Sequence, residues 1–203
     1  MKLIVVRHAE SVGNLRRALD TGAPGSPLSD RGRLQAATLA QQLHPIGPAA
    51  VFSSTAARAR STARPLAVLT GLQLHERPGL LEVSAGALEL SEEQSAMDSY
   101  LSTIQGWTSG HLALRMPGGE DGHETIARFD AVVKEVSATE GTVVLVSHGG
   151  VIRVWASQRV RNLSSSWPAA PMLANIEALT FEPDGDRAWL LRRPTHPSPP
   201  APG

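Results

Sequence analysis

The sequence predicts an α/β protein, a three-layer α/β/α sandwich around a mostly parallel central sheet. Two short β-branched and leucine-rich runs, Leu3–Val6 and Val143–Val146, read as strands buried on both faces. Between and after them, apolar residues recur at helical spacing, so strands alternate with helices as a layered parallel sheet requires. At 203 residues, the chain is long enough to bury one substantial core.

In chain order, residues 2–6 form the first strand, and Glu10–Pro27, with its Gly/Pro cluster, reads as a surface loop. Ser29-Asp30 opens a helix whose face is Ala36, Leu39, Ala40 and Leu43. Residues 49–53 form a second strand. Ser54-Thr55 is the expected cap of a helix bearing Arg58, Arg60 and Arg64, which Pro65 is expected to kink or end. Leu72-Gln73-Leu74 reads as a third strand, and Ser91–Gln94 resembles a capping box opening a helix to about Ile104. From Glu124, the set Ile126, Phe129, Val132, Val133 and Val136 gives the clearest helical period, stopped by Gly141. A strand runs to His148, a helix covers 151–160, and 175–181 with 187–191 reads as a closing hairpin. Residues 1–193 are thus one domain with a lid or insert at about 83–123. The proline-rich 194–203 segment reads as a disordered tail.

Composition removes several classes of function. Nineteen Lys plus Arg balance nineteen Asp plus Glu, so no net field recruits nucleic acid or a membrane surface. Aromatic residues are 4% of the chain, too sparse for a base-stacking platform. Without cysteine there is neither a disulfide nor a thiolate nucleophile or zinc ligand. The N-terminal apolar run is too short for a signal peptide or membrane span, and the cytoplasm is the default location. No clustered ligands suggest a metal, and His44, His75, His111, His123 and His196 are assigned nothing. Oligomeric state is not readable, a homodimer being the common outcome for soluble proteins.

Chemistry concentrates where the two buried strands end. Arg7-His8-Ala9-Glu10 follows one, and Ser147-His148-Gly149-Gly150 follows the other, so two imidazoles can meet at the carboxyl edge of the sheet. Neutral imidazole is a competent nucleophile near pH 7, and arginines suit phosphoryl oxygens. Arg7 and Arg58 supply the guanidinium groups, and Glu82 supplies an acid for a leaving oxygen.

Arg7-His8-Ala9-Glu10 with Asn14 resembles the signature of the histidine phosphatase superfamily, the phosphoglycerate mutase-like proteins. The resemblance continues through Leu28-Ser29-x-x-Gly32-x-x-Gln35-Ala36 and Ser53-Ser54 followed by Arg58-Ala59-x-x-Thr62-Ala63. It extends to Leu81-Glu82-x-x-x-Gly86-x-x-Glu89, Pro117-Gly118-Gly119-Glu120 and Ser147-His148-Gly149-Gly150, in family order over about 1–181. It implies a phosphoglycerate mutase-like fold and His8 as the phosphorylated nucleophile. Arg7, Arg58 and His148 would complete the phosphate pocket, Asn14 would contact the phosphate or the transferring group, and Glu82 would be proton donor and then base. No cofactor is implied. Ala9 stands where the family most often has glycine, and Glu89 lacks its usual aromatic and glycine neighbours, leaving Glu82 and Glu89 as rivals for the acid, with Glu82 favoured.

Residues 83–114 contain neither lysine nor arginine but include Glu89, Glu92, Glu93 and Asp98, a poor clamp for a second anionic group. Met97, Tyr100, Leu101, Ile104 and Trp107 suit an apolar lid face, and core packing explains the helix-spaced ones equally well. The balance favours hydrolysis of a small-molecule phosphate ester over a phosphoglycerate mutase or a silent phospho-ligand binder. Arg16 and Arg17 are open to either a second anion or solvent.

Overall fold

A computed structural model describes residues 1–185 and 188–192. Strand β1 (Lys2–Arg7) lies inside a six-stranded sheet with β2 (Ala50–Ser53), β3 (Leu74–Glu76), β4 (Thr142–Ser147), β5 (Ala178–Pro183) and β6 (Trp189–Arg192), in the order β3-β2-β4-β1-β5-β6. The first four positions pair in parallel, and β5 and β6 join antiparallel. The mostly parallel, two-sided sheet is therefore present.

Alternation along the central strands separates two cores. Leu3, Val5, Val143 and Leu145 face one side, packing with residues of α4 (Gln94–Thr108), α5 (Gly122–Val136) and α6 (Gly149–Arg159). Ile4, Val6, Val144 and Val146 face the other, against α2 (Asp30–Leu43) and α3 (Ala57–Thr70). Successive strand side chains point to opposite faces, so each run must be apolar throughout. Tyr100, Ile104 and Trp107 of α4 are buried in the first core, so packing accounts for that stripe; Leu101 stays 38% exposed.

Several local expectations are corrected. Glu10–Pro27 is not a simple surface loop: α1 (Val12–Arg16) forms within it, fixed by a capping box between Ser11 and Asn14, and Leu19 and Thr21 are buried. Pro65 does not end α3, which continues to Thr70; the carbonyl that loses its partner is that of exposed Ser61, where water can replace it. Residue 72 still belongs to the helix exit, its N–H bonding Ala67 C=O beyond left-handed Gly71, which displaces β3 to Leu74. Ser54-Thr55 does not cap α3, whose N-cap is Ala56. Nor does Ser91 cap α4; its hydroxyl accepts from Glu93 N–H, and the helix starts after Glu93 with no side-chain cap. The period from Glu124 extends back to Gly122 because Asp121 and Glu124 form a capping box. α6 starts at Gly149, directly after His148. The closing hairpin is β5–β6, and the 194–203 tail lies outside the described residues.

Trp155 locks the first core, with ring contacts to Phe129 at 5.2 Å, Phe181 at 5.3 Å and Trp189 at 6.0 Å. Replacing it by alanine is expected to cost about 3–5 kcal/mol, read as a lower urea midpoint with an unchanged slope.

Candidate active site

Parallel pairing of β1 with β4 puts Arg7 opposite Ser147, and His8 N–H donates to Ser147 C=O at 2.9 Å. The next residue of each strand is a histidine. Their rings meet edge to face with centroids 4.9 Å apart, and both are buried. Nδ1 of His8 is 2.7 Å from Ala9 C=O, and a carbonyl only accepts, so Nδ1 carries the proton and Nε2 keeps its lone pair. His148 Nε2 contacts Ser54 Oγ at 2.7 Å, while its Nδ1 is buried without a partner. Burial, then the positive charge of Arg58 and Arg7, holds His8 well below the usual imidazole range of about 6.5. Burial and Arg58 do the same to His148.

The two predicted arginines reach the pair from different elements. Arg58, 2% exposed, extends from the first turn of α3; its Nη2 donates to Thr21 C=O at 3.4 Å and its Nη1 has no hydrogen-bond partner. Arg7 donates through Nη1 to Leu173 C=O, leaving Nε buried and unpartnered. Burial lowers both guanidinium pKa values from their ordinary range, opposed first by Glu82 for Arg7 and first by Asp20 for Arg58. Among the described residues, buried side-chain nitrogens without partners are those of Arg7, Arg58, His148 and Arg153. Three of these four belong to one cluster, and unsatisfied buried donors are rare enough to require an explanation. Asn14 Oδ1 accepts from Ser11 N–H and from Asn175 Nδ2, which fixes the amide with its NH2 end as the remaining donor. Asn175 also donates to His8 C=O at 3.0 Å, joining Asn14 to the histidine.

Glu82 sits at the start of α6. Its Oε2 accepts from Gly150 N–H at 3.0 Å, and its Oε1 from Val151 and Val83 N–H, each at 2.8 Å. An added Cβ on Gly150 would lie 2.8 Å from Glu82 Oε1, so the glycine permits this approach. Glu89 is tied elsewhere: its carboxylate takes the N–H groups of Thr21 and Gly22 and the Thr21 hydroxyl. Arg16 and Arg17 are exposed, Arg17 ending α1 in a left-handed conformation. Arg60 pairs with Glu76 at 3.6 Å. A groove of about 640 Å³ between α2 and α3 contains none of the site residues.

Residues that sequence reasoning left without a role hold this arrangement. Thr62 Oγ1 accepts from Ala9 N–H, and Ser54 holds His148; both stood in matched motifs. Arg128 donates to the carbonyls of Gly79, Leu81 and Glu82 and is braced by Glu120, clamping the loop that carries Glu82. Buried Arg153 donates to the carbonyls of Trp167, Pro168, Ala170 and Pro171, just before the Leu173 and Asn175 contacts. Its only sequence signal is an arginine inside an apolar helix, which burial obliges to find partners.

A profile of the histidine phosphatase superfamily (branch 1) matches residues 3–194. The chain belongs to this superfamily. This superfamily member is 38% identical over 204 residues to PE-PGRS family protein PE_PGRS11 of Mycobacterium tuberculosis, covering 92% of the chain but spanning only 35% of that relative. It is 30% identical over 155 residues to a probable phosphoglycerate mutase GpmB of Enterobacter sp., covering 73% of the chain and 70% of the relative. A mycobacterial glucosyl-3-phosphoglycerate phosphatase, solved with VO3, superposes with a TM-score of 0.79 at 26% identity over 94% of this chain and 96% of that one. Among the described residues, no group of three or more His, Asp or Glu side chains could hold a metal ion, and no helix is long and apolar enough to cross a membrane.

The buried histidines make stability depend on pH. Both are neutral in the fold and protonate more readily when unfolded, so their contribution is complete above pH 6.5 and is lost as pH falls below it. Each adds a slope of up to about 1.4 kcal/mol per pH unit. In phosphate-free buffer, His8→Asn should reduce the acid-side slope of unfolding free energy against pH by close to one proton. A slope equal to wild type would mean His8 is not held neutral.

Proposed function

We propose that this protein is a phosphomonoesterase that works without a metal, through a phosphohistidine at His8, on a small phosphorylated metabolite. The observation that carries the reading is that three buried side-chain nitrogens without partners, Arg7 Nε, Arg58 Nη1 and His148 Nδ1, belong to the His8–His148 pair and to the two arginines whose charge acts on it. Two buried guanidinium donors, with a buried imidazole nitrogen beside them, suit an anion with several acceptor oxygens, above all a phosphoryl group.

The reaction follows from the atoms. His8 Nε2 attacks phosphorus as the bond to the leaving oxygen breaks, and Glu82 delivers a proton to that oxygen. Water then attacks the phosphohistidine, Glu82 takes its proton, and the N–P bond breaks to give orthophosphate. Arg7, Arg58, His148 and the Asn14 amide carry the charge on the phosphoryl oxygens in both steps. Glu82 is preferred to Glu89 because its Oε2 accepts from the N–H of Gly150, two residues after His148 in the chain, and takes no other backbone donor, whereas Glu89 is bound to the Thr21 segment. Hydrolysis is preferred to mutase chemistry because residues 83–114 offer no cation to retain a second anionic group. Phosphoglycerate mutase activity is the second reading, favoured by the likeness to the GpmB relative.

The first test is phosphate release from p-nitrophenyl phosphate and a panel of metabolite phosphates. Wild type should turn over in the presence of EDTA and His8→Ala should not; loss with chelator and rescue by a divalent ion would overturn the metal-free mechanism. Acid-labile radiolabel from a phosphorylated substrate should appear on wild type and be absent from His8→Ala. For the acid, Glu82→Gln should lose about 10²–10⁴-fold on alkyl phosphates and much less on p-nitrophenyl phosphate, whose leaving group needs no proton. Equal losses would return the role to Glu89.

A further inference from the structure

Behind Arg58 lies a second buried charge that the proposed reaction does not use. The Asp20 side chain is 7% exposed, and its Oδ1 is 3.8 Å from Arg58 Nη1, the same nitrogen that lacks a hydrogen-bond acceptor. At 3.8 Å the two attract but do not share a hydrogen bond. The carboxylate is held in place from its far side, where Oδ2 accepts from Ser26 N–H at 2.8 Å. The backbone is shaped around the pair: a Cβ on Gly25, which has φ of +61°, would lie 2.4 Å from Arg58 Nη1 and 2.9 Å from Asp20 Oδ1. A Cβ on Gly13 would lie 2.7 Å from Asp20 Oδ2.

Resting on the reading of Arg58 as a phosphate ligand, we propose that Asp20 is a positioning residue that steadies Arg58 while weakening its hold on phosphate, and so sets how readily product orthophosphate leaves. An acceptor oxygen hydrogen-bonded to Nη1 lies within roughly 7 Å of Asp20 Oδ1, the 3.8 Å gap plus one hydrogen-bond length of about 3 Å. In a partly desolvated site of effective dielectric near 20, like charges at roughly that separation alter a binding constant on the order of tenfold or more. Orthophosphate and the phosphoryl group of a monoester are both largely dianionic near pH 7, so both feel this repulsion. Asp20 therefore loosens the hold on any phosphoryl group at Arg58, product orthophosphate included.

The test uses the full chain with orthophosphate as probe, measuring its inhibition constant against p-nitrophenyl phosphate and its dissociation constant by calorimetry. Asp20→Asn should bind orthophosphate on the order of tenfold more tightly, and KM for the ester should fall in the same direction. A residue that only props Arg58 would move both constants the other way. Asp20→Ser, which leaves room for water beside the guanidinium, should show the same tightening and keeps the test available if the asparagine variant folds poorly. Unchanged or weaker orthophosphate binding in a folded variant that still turns over overturns this inference alone. Failure of wild type to bind orthophosphate or to release it from any ester overturns the reading of Arg58 as well.

Discussion

Everything at the site depends on the register between β1 and β4. Six residue pairs, from Lys2 with Thr142 to Arg7 with Ser147, bring two strands to a common end, and a histidine follows each. Because side chains alternate across a sheet, a slip of one residue would exchange the contents of the two cores and separate the rings. Apolar residues fill both faces of both strands, so the register is held from either side. The site inherits its precision from the most buried part of the molecule.

Outside that pair, the site is assembled by side chains that bind backbone carbonyls. Arg128 gathers the Gly79–Glu82 loop, and Arg153 gathers the 167–171 segment that leads to Leu173 and Asn175. Arginine suits this work because its donors fan out in one plane and stay charged when buried. Loops without regular hydrogen bonding thereby acquire fixed geometry, which a preorganised anion pocket requires.

Strong periodicity made β1, β4, α2 and α5 legible, since a buried run or an amphipathic stripe leaves its mark on adjacent residues. The segment around α1 was not, because five residues are too few for a period and the capping box alone fixes it. Pro65 misled because its effect depends on which face of α3 meets water, which the local sequence does not encode. At the site, His8, His148, Arg7, Arg58, Asn14 and Glu82 stood out through residue type and motif order. Asn175 and Arg153 did not, because their partners are carbonyls that no residue type advertises, and Asp20 lay in a stretch read as plain loop.

The wide sequence gap between the two site strands has a consequence for how the protein is made. β1 leaves the ribosome well before β4, which follows only after α5. Parallel pairing over so long a separation forms late, after the loop-closure entropy has been met. Until then His8 is an ordinary imidazole on a solvated strand, with neither its neighbouring ring nor its cationic surroundings. The paired rings and the cationic groups around them therefore come together only with the completed sheet.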